Sequence, residues 1–326
     1  MGDAVAATGL RRSFGDTTAV AGVDLAVHDG EIYGFLGPNG AGKSTTVRML
    51  CTLLVPSAGS AHVAGYDVVS QSKDVRLRIG VALQDASLDP NQTGDELLRL
   101  QGRLYGLDHA EIDQQVRSLA ALVDIGDAMH RRVKTYSGGM KRRLDLAVAL
   151  VHNPRVLFLD EPTTGLDPAS RARVWDEVRR LNEAGKTIFL TTQYLEEADT
   201  LADRVAIIDR GEIIAEGRPD DLKREMGSDV IVAEVGSDAA RACSQIERVP
   251  GVTRVERHGD ELTILTPDAS ALLSPVAVAL AECGVPVRNL TMRRPTLDDV
   301  YLRITGDHLR ASLDGDEEPM DEHDQR

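Results

Sequence analysis

The sequence lacks any stretch approaching the roughly 20 consecutive apolar residues that cross a bilayer. Its longest apolar pieces, such as 147–151 and 276–281, are the size of core segments. Met1-Gly2-Asp3 open no basic region and no apolar region, so a secretory leader is not expected and the chain should start in the cytoplasm. Cysteine is scarce: Cys51, Cys243 and Cys283 lie far apart with no C-x-x-C spacing. That excludes a disulfide framework and fits small buried thiols in a reducing compartment. The eight histidines form no HExxH or other clustered pattern, which argues against a metal held by protein side chains alone. Positive charge is in deficit, with 37 Lys and Arg against 52 Asp and Glu, a net of -15. An acidic surface disfavours nucleic acid, whose phosphates require Lys and Arg, and no nucleic-acid partner is expected. Residues 307–326 carry eight of the acids and two basic residues, a composition expected of a solvated, disordered tail.

What remains is an ordinary globular composition, 42% hydrophobic and 27% charged over 326 residues, enough for one large domain and a small one. Glu31 to Leu36 reads as a short buried strand, followed at once by Gly37-Pro38-Asn39-Gly40-Ala41-Gly42-Lys43-Ser44-Thr45. This is the phosphate-binding pattern G-x-x-x-x-G-K-S, which would arise by chance in roughly one such chain in a hundred. The glycines let successive backbone N–H groups point at one anion. Lys43 can then reach the β and γ phosphates of a nucleotide, and the Ser44 hydroxyl can ligate magnesium. A helix with Val47, Leu50 and Leu54 on one face should follow, its positive end toward the phosphates.

Far downstream, Val156 to Leu159 is a continuous apolar run, as in a buried parallel strand, and Asp160 and Glu161 close it. Ligands of open α/β sheets bind at that end of the strands. Asp160 suits a magnesium shell, and a second carboxylate beside it could hold and deprotonate an attacking water. Ser137-Gly138-Gly139 opens another helix, with Ser137 as cap and two glycines that let backbone amides approach an anion.

The order of these motifs resembles the ATP-binding subunits of ABC transporters, over residues 4 to 226. Ser137-Gly138-Gly139 is similar to the family signature, with Tyr136 and Met140 in place of its commonest Leu and Gln. The resemblance implies an adenine-stacking role for Phe14 and a glutamine at Gln84 that contacts magnesium and the membrane partner. It makes Thr164-Gly165-Leu166-Asp167 the D-loop, with Asp167 among the catalytic residues beside Lys43, and Glu161 the catalytic base. It further implies two ATP molecules sandwiched between two such domains, Lys43 and Ser44 of one copy opposite Ser137 and Gly138 of the other. One phosphate loop and one signature per chain then demand a dimer, with a second copy or a paralogous ATPase subunit. Where the family has a histidine near the γ-phosphate, this chain has Gln193. An amide can donate a hydrogen bond there but carries no proton or charge. Thr191 to Asp199 and the stretch Arg294-Pro295-Thr296-Leu297-Asp298-Asp299-Val300-Tyr301-Leu302 resemble the daunorubicin/doxorubicin-resistance branch of exporter ATPases. That likeness implies ATP and Mg2+ as cofactors, a separate transmembrane permease, a place on the cytoplasmic face of the membrane, and a drug- or lipid-like cargo. A soluble ATP-switched interaction protein is the rival reading; such relatives carry two ATPase domains or a long coiled-coil insert, and neither is seen here.

The expected fold class is α/β, a P-loop ABC ATPase domain with a helical subdomain at about residues 93–150, then a small α+β domain at 229–304. Thr93 can cap a helix bearing Leu97, Leu98, Leu100 and Leu104, whose stripe reads as core, and the polar 85–91 loop reads as the partner contact. Gly227 and Ser228 mark a linker. Beyond it the pattern is strand (230–235), helix (238–248), strand (252–257), strand (261–265), helix (275–283), strand (285–290), with a hairpin turn at 258–260. The order βαββαβ is that of a ferredoxin-like fold. No convergent polar cluster supports a ligand site in it, so it is expected to support dimerisation or to cover residues 296–302.

Overall fold

The computed structural model describes residues 2–83, 88–123, 125–224, 229–235 and 239–305. Gln84, the Gly227-Ser228 pair and the 307–326 tail lie outside them. The chain opens with two long antiparallel strands, β1 (Asp3–Phe14) and β2 (Thr17–His28), and then enters β3 (Ile32–Leu36) and helix α1 (Lys43–Leu50). β4 (Ala58–Val63) and β5 (Tyr66–Asp67) complete a four-stranded antiparallel sheet of order β2-β1-β4-β5. A short helix α2 (Ser72–Arg76) leads to β6 (Ile79–Ala82), and three helices follow, α3 (Gly94–Leu104), α4 (His109–Val123) and α5 (Gly138–Leu150). The chain returns through β7 (Val156–Asp160), α6 (Pro168–Glu183), β8 (Thr187–Thr192), α7 (Leu195–Leu201), β9 (Arg204–Asp209), β10 (Glu212–Gly217) and α8 (Pro219–Arg224).

These strands build a six-stranded sheet, β10-β9-β3-β8-β7-β6, parallel except for its β10 edge. Every residue of β3, β7 and β8 is buried, because this sheet is covered on both faces. Phe35, Phe158 and Phe189 pack toward the antiparallel sheet with Val5 and Leu10. Leu157, Leu159 and Leu190 turn the other way, onto Leu98, Leu144 and Val178 of the helices. Parallel pairing sets the carboxyl ends of β3, β8 and β7 side by side, and the alternation along each strand buries them between two packed layers.

Thr93 caps α3 with both halves of a capping box: Glu96 N–H donates to Thr93 Oγ1 (3.2 Å), and Thr93 N–H to Glu96 Oε2 (2.8 Å). The α3 stripe is only half core. Leu98 is fully buried and Leu97 partly so, but Leu100 and Leu104 are 42% and 72% exposed. Leu100 and Leu104 are one helical turn apart on a face that neither α4 nor α5 covers.

The last part comprises β11 (Asp229–Glu234), α9 (Ala239–Ile246), β12 (Arg254–His258), β13 (Glu261–Thr266), α10 (Ala269–Glu282), β14 (Asn289–Arg293) and α11 (Leu297–Thr305). Its sheet order, β12-β13-β11-β14, all antiparallel, is the ferredoxin-like arrangement. The pair His258↔Glu261 leaves Gly259 and Asp260 as a two-residue turn, and Gly259 takes φ 59, the left-handed conformation such turns need. Helix α10 begins six residues before the expected start at Pro275, because Asp268 caps it by accepting from Ala271 N–H (3.1 Å). The following strand lies later than expected, at Asn289–Arg293 rather than 285–290, in the register that pairs Leu290 with Ala233.

Leu36, Val205 and Ile207 of the large sheet share a core cluster with Val230, Leu265, Val300 and Tyr301 of this last part. Each such buried side chain contributes roughly 1.5–3 kcal/mol. A handful outweighs the entropy of fixing a short connection, so the two parts are fastened together rather than strung.

Candidate functional site

The phosphate loop connects β3 to α1 across a very tight passage. A Cβ on Gly37 would stand 2.3 Å from Ile208 O, and one on Gly42 would stand 2.5 Å from Ala19 O, with Gly42 at φ 106. No side chain fits either place. Asn39 and Gly40 at the loop's tip are exposed, Pro38, Ser44 and Thr45 are half-buried, and Ala41 is buried. Lys43, first residue of α1, is 4% exposed. Its Nζ donates to Gly37 O (2.8 Å) and Pro38 O (3.1 Å) and lies 3.3 Å from Glu161 Oε1. Burial pulls the Lys43 ammonium below its ordinary pKa, and the Glu161 and Asp160 carboxylates oppose that shift.

Asp160 and Glu161 arrive at the end of β7, where neighbouring β8 presents Thr191. Ser44 Oγ donates to Asp160 Oδ1 (3.2 Å), and the Thr191 hydroxyl donates to the same oxygen. Glu161 N–H is shared between Thr191 O (3.1 Å) and Thr191 Oγ1 (3.0 Å), while Thr164 Oγ1 donates to Glu161 Oε2 (3.3 Å). Glu161 has φ 48, a left-handed conformation that costs a non-glycine residue about 1–3 kcal/mol and persists only where the surroundings impose it. Gln193, just past β8, is 7% exposed, and its Oε1 is buried with no hydrogen-bond partner. The preceding residue, Thr192, accepts from Gly37 N–H (3.3 Å), so Gln193 stands one residue from a contact with the phosphate loop.

The other expected residues are elsewhere. Ser137 and Gly138 are exposed, with Ser137 Oγ accepting from Met140 N–H (3.3 Å) at the start of α5. A Cβ on Gly139 would come 3.1 Å from Ser170 Oγ. Among the described residues no hydrogen bond joins Ser137 or Gly138 to the phosphate loop. Asp167 caps α6, accepting from Ser170 N–H (3.0 Å) and Ser170 Oγ (2.6 Å); these bonds hold its carboxyl below the usual range. Phe14 is 48% exposed at the end of β1, with the Arg12 guanidinium 4.7 Å from its ring centre, so one face is already taken.

Two residues join the site that the motifs do not point to. Thr191 is one; a hydroxyl at the buried carboxyl end of a strand is the signal that could have found it. The other is Arg142 on α5, which reaches the main chain around Glu161 from a cavity of about 240 Å³ lined by Gly138, Lys141, Glu161 and Leu166. Its ion-pair partner Asp145 lies at 3.3 Å. Burial pushes the Asp145 carboxyl up to about 6 from 3.8, Arg142 opposing. The folded chain then holds the proton more tightly than the unfolded one, so stability falls as pH rises from about 4 through about 6. Replacing Asp145 by Asn should remove that cost, on the order of 2–3 kcal/mol. We expect thermal unfolding of Asp145→Asn to gain several degrees at pH 8 and nothing at pH 4. A gain equal at both pH values would contradict the burial argument.

A family model described as ABC transporter matches residues 20–164, and one described as the C-terminal domain of DrrA1-3-like ATP-binding proteins matches residues 217–305. The daunorubicin resistance ATP-binding protein DrrA3 of Streptomyces coeruleorubidus is 47% identical, over 94% of this chain and 98% of its own. The chain belongs to the ATP-binding proteins of ABC transporters. It is therefore an ATPase whose hydrolysis is coupled to transport through a permease, and such subunits work as dimers. A doxorubicin resistance ATP-binding protein of Mycobacterium tuberculosis is 42% identical, over 93% of this chain and 94% of its own. The Nod factor export ATP-binding protein I of Ralstonia nicotianae is 39% identical over 93% and 94%. Among solved structures, the ABC transporter subunit CbiO1 of Clostridium perfringens superposes with a TM-score of 0.64 at 26% identity, covering 69% of this chain and 92% of that one. The uncovered third agrees with a C-terminal domain added to a shared ATPase fold.

Proposed function

We propose that the chain is one of two motor subunits that drive a drug- or lipid-like molecule out of the cell through a separate permease. The observation that carries this is the convergence of Lys43, Ser44, Asp160 and Glu161 at one phosphate loop, while Ser137 and Gly138 of the same chain face outward. Among the described residues no hydrogen bond ties the exposed signature to the phosphate loop of its own chain, and a second copy, identical or paralogous, would bring it an ATP. Lys43 then exchanges its loop carbonyls for the β and γ phosphates. Ser44 and Asp160 present two adjacent oxygens suited to a hard divalent cation, and Mg2+ held there would neutralise phosphate charge. Glu161 is the base that orients and deprotonates the attacking water, and Gln193 turns its amide toward the γ-phosphate. Phe14 offers its free ring face to adenine. Asp167 shapes the D-loop from the cap of α6.

Cargo class follows the relatives, named for daunorubicin, doxorubicin and Nod factor. Among the described residues no helix is long and apolar enough to cross a membrane. The permease is proposed to dock where Leu53, 58% exposed, rims a cavity of about 330 Å³ with Arg76, Tyr105 and His152, and where Leu77, next in the chain to Arg76, is 55% exposed. Leu83, the last described residue before the 85–91 loop, lines the same cavity. Net charge of -15 keeps nucleic acid out of the partner set. The test is affinity purification of the tagged chain from gently solubilised membranes. A stoichiometric polytopic protein, lost from the Leu53→Glu/Leu77→Glu variant, is expected. A chain found only in the soluble fraction with ribosomal or repair partners would overturn the exporter reading.

A further inference from the structure

Arg142 stands on α5, the helix whose first turn is the Ser137-Gly138-Gly139 signature. Its side chain is 11% exposed, and its guanidinium is almost wholly engaged with main chain. Nε donates to Pro162 O (3.0 Å) and Nη2 to Asp160 O (2.9 Å), the two carbonyls that bracket Glu161. Nη1 donates to Leu83 O (2.5 Å), in the residue before Gln84, and to Asp145 Oδ2 (3.3 Å). Four acceptors from three separate segments thus share one planar fork, a geometry that only a guanidinium supplies. Glu161 is held at φ 48, and its backbone is restrained by Thr191 on its N–H, by Thr164 N–H on its own carbonyl (3.3 Å) and by Arg142 on the carbonyls either side.

We propose that Arg142 is a positioning residue for hydrolysis: it fixes the carboxylate of Glu161 and makes that position depend on the orientation of the signature helix. The inference rests on the reading of Glu161 as the base. When the signature of one copy closes on the ATP of the other, any rotation of α5 moves the fork. The carbonyls of Asp160 and Pro162 move with it, and so does that of Leu83. Closure is then felt at the water-activating carboxylate of the same chain, without any contact between that carboxylate and the partner's nucleotide.

The experiment measures ATP turnover, in single- and multiple-turnover mode, in the membrane complex purified through a tag on this chain. Arg142→Gln is expected to lower kcat at least tenfold with the KM for ATP within twofold. Arg142→Lys, which keeps the charge beside Asp145 but not the fork, should fail to restore it. On a Glu161→Gln background Arg142→Gln should cause no further loss, because a residue that acts through Glu161 has nothing left to position. Independent, additive losses would overturn the proposal, as would a lysine variant at the parent rate. If Arg142→Gln does not fold, the lysine variant decides alone. A Glu161→Gln variant at the parent rate would remove the base reading and this inference together. Glu161→Gln inactive with Arg142→Gln unimpaired would remove only the inference.

Discussion

Replacing Glu161 with glutamine is expected to slow ATP hydrolysis about 10²–10⁴-fold while leaving ATP binding and ATP-dependent dimerisation intact. Of the two carboxylates beside the phosphate loop, Asp160 accepts from the Ser44 and Thr191 hydroxyls, and Glu161 is the one proposed to take a proton from water. Lys43 lies on its Oε1 side and Thr164 on its Oε2 side. An amide of the same shape can keep the Thr164 bond, and the backbone at 161 keeps its bonds to Thr191. Lys43 keeps the Asp160 carboxylate as a countercharge, so the fold around the site is expected to hold and the loss should fall on chemistry. Measured in the permease complex, kcat should collapse with ATP affinity near the parent value. By size-exclusion with ATP and Mg2+, the variant should accumulate as a dimer, since closure is reached and hydrolysis does not release it. Parental turnover in this variant would sink the base assignment.

The phosphate loop and the Asp160-Glu161 pair were legible because each is a contiguous motif tied to a strand, so local spacing alone placed their side chains at one end of the sheet. Thr191 and Arg142 were not. They meet Asp160 and Glu161 across 31 and 18 residues, and such pairings depend on which strands neighbour each other and how α5 is turned. An arginine in a helix also looks like solvent-facing charge until the helix is packed. The antiparallel sheet of β1, β2 and β4 is not legible in the sequence for another reason. Register shifts between Asp3 and Val5, between Ala7 and Leu10 and further along β1 break the alternation that marks a half-buried strand. In the C-terminal domain the element order can be read from patterning, but the proline inside α10 points to a later start than the one its Asp268 cap sets. Packing, not pattern, decided that Leu100 and Leu104 stay exposed.

Lys43→Met should abolish measurable ATP binding and also destabilise the nucleotide-free chain, by about 3–5 kcal/mol. The first effect follows from position: Lys43 is the cation at the mouth of the loop, and without it two or three phosphate charges meet Asp160 and Glu161 unscreened. The second is less obvious, because burial already makes the Lys43 ammonium costly, and a methionine of similar length removes that cost. The balance is set by what stays behind. Asp160 and Glu161 are 2% and 7% exposed, and deleting their cation leaves two buried carboxylates without a countercharge. Breaking a buried pair from one side costs more than the pair itself contributes. The double variant Lys43→Met/Glu161→Gln separates the two effects. It should recover part of the stability by denaturant unfolding, since both ends of the 3.3 Å pair are then neutral and only Asp160 is left without a countercharge, yet it should still bind no ATP by isothermal titration. A Lys43→Met chain as stable as the parent would mean that the carboxylates are satisfied by their hydroxyl partners alone, and that Lys43 is held at the site only for the nucleotide.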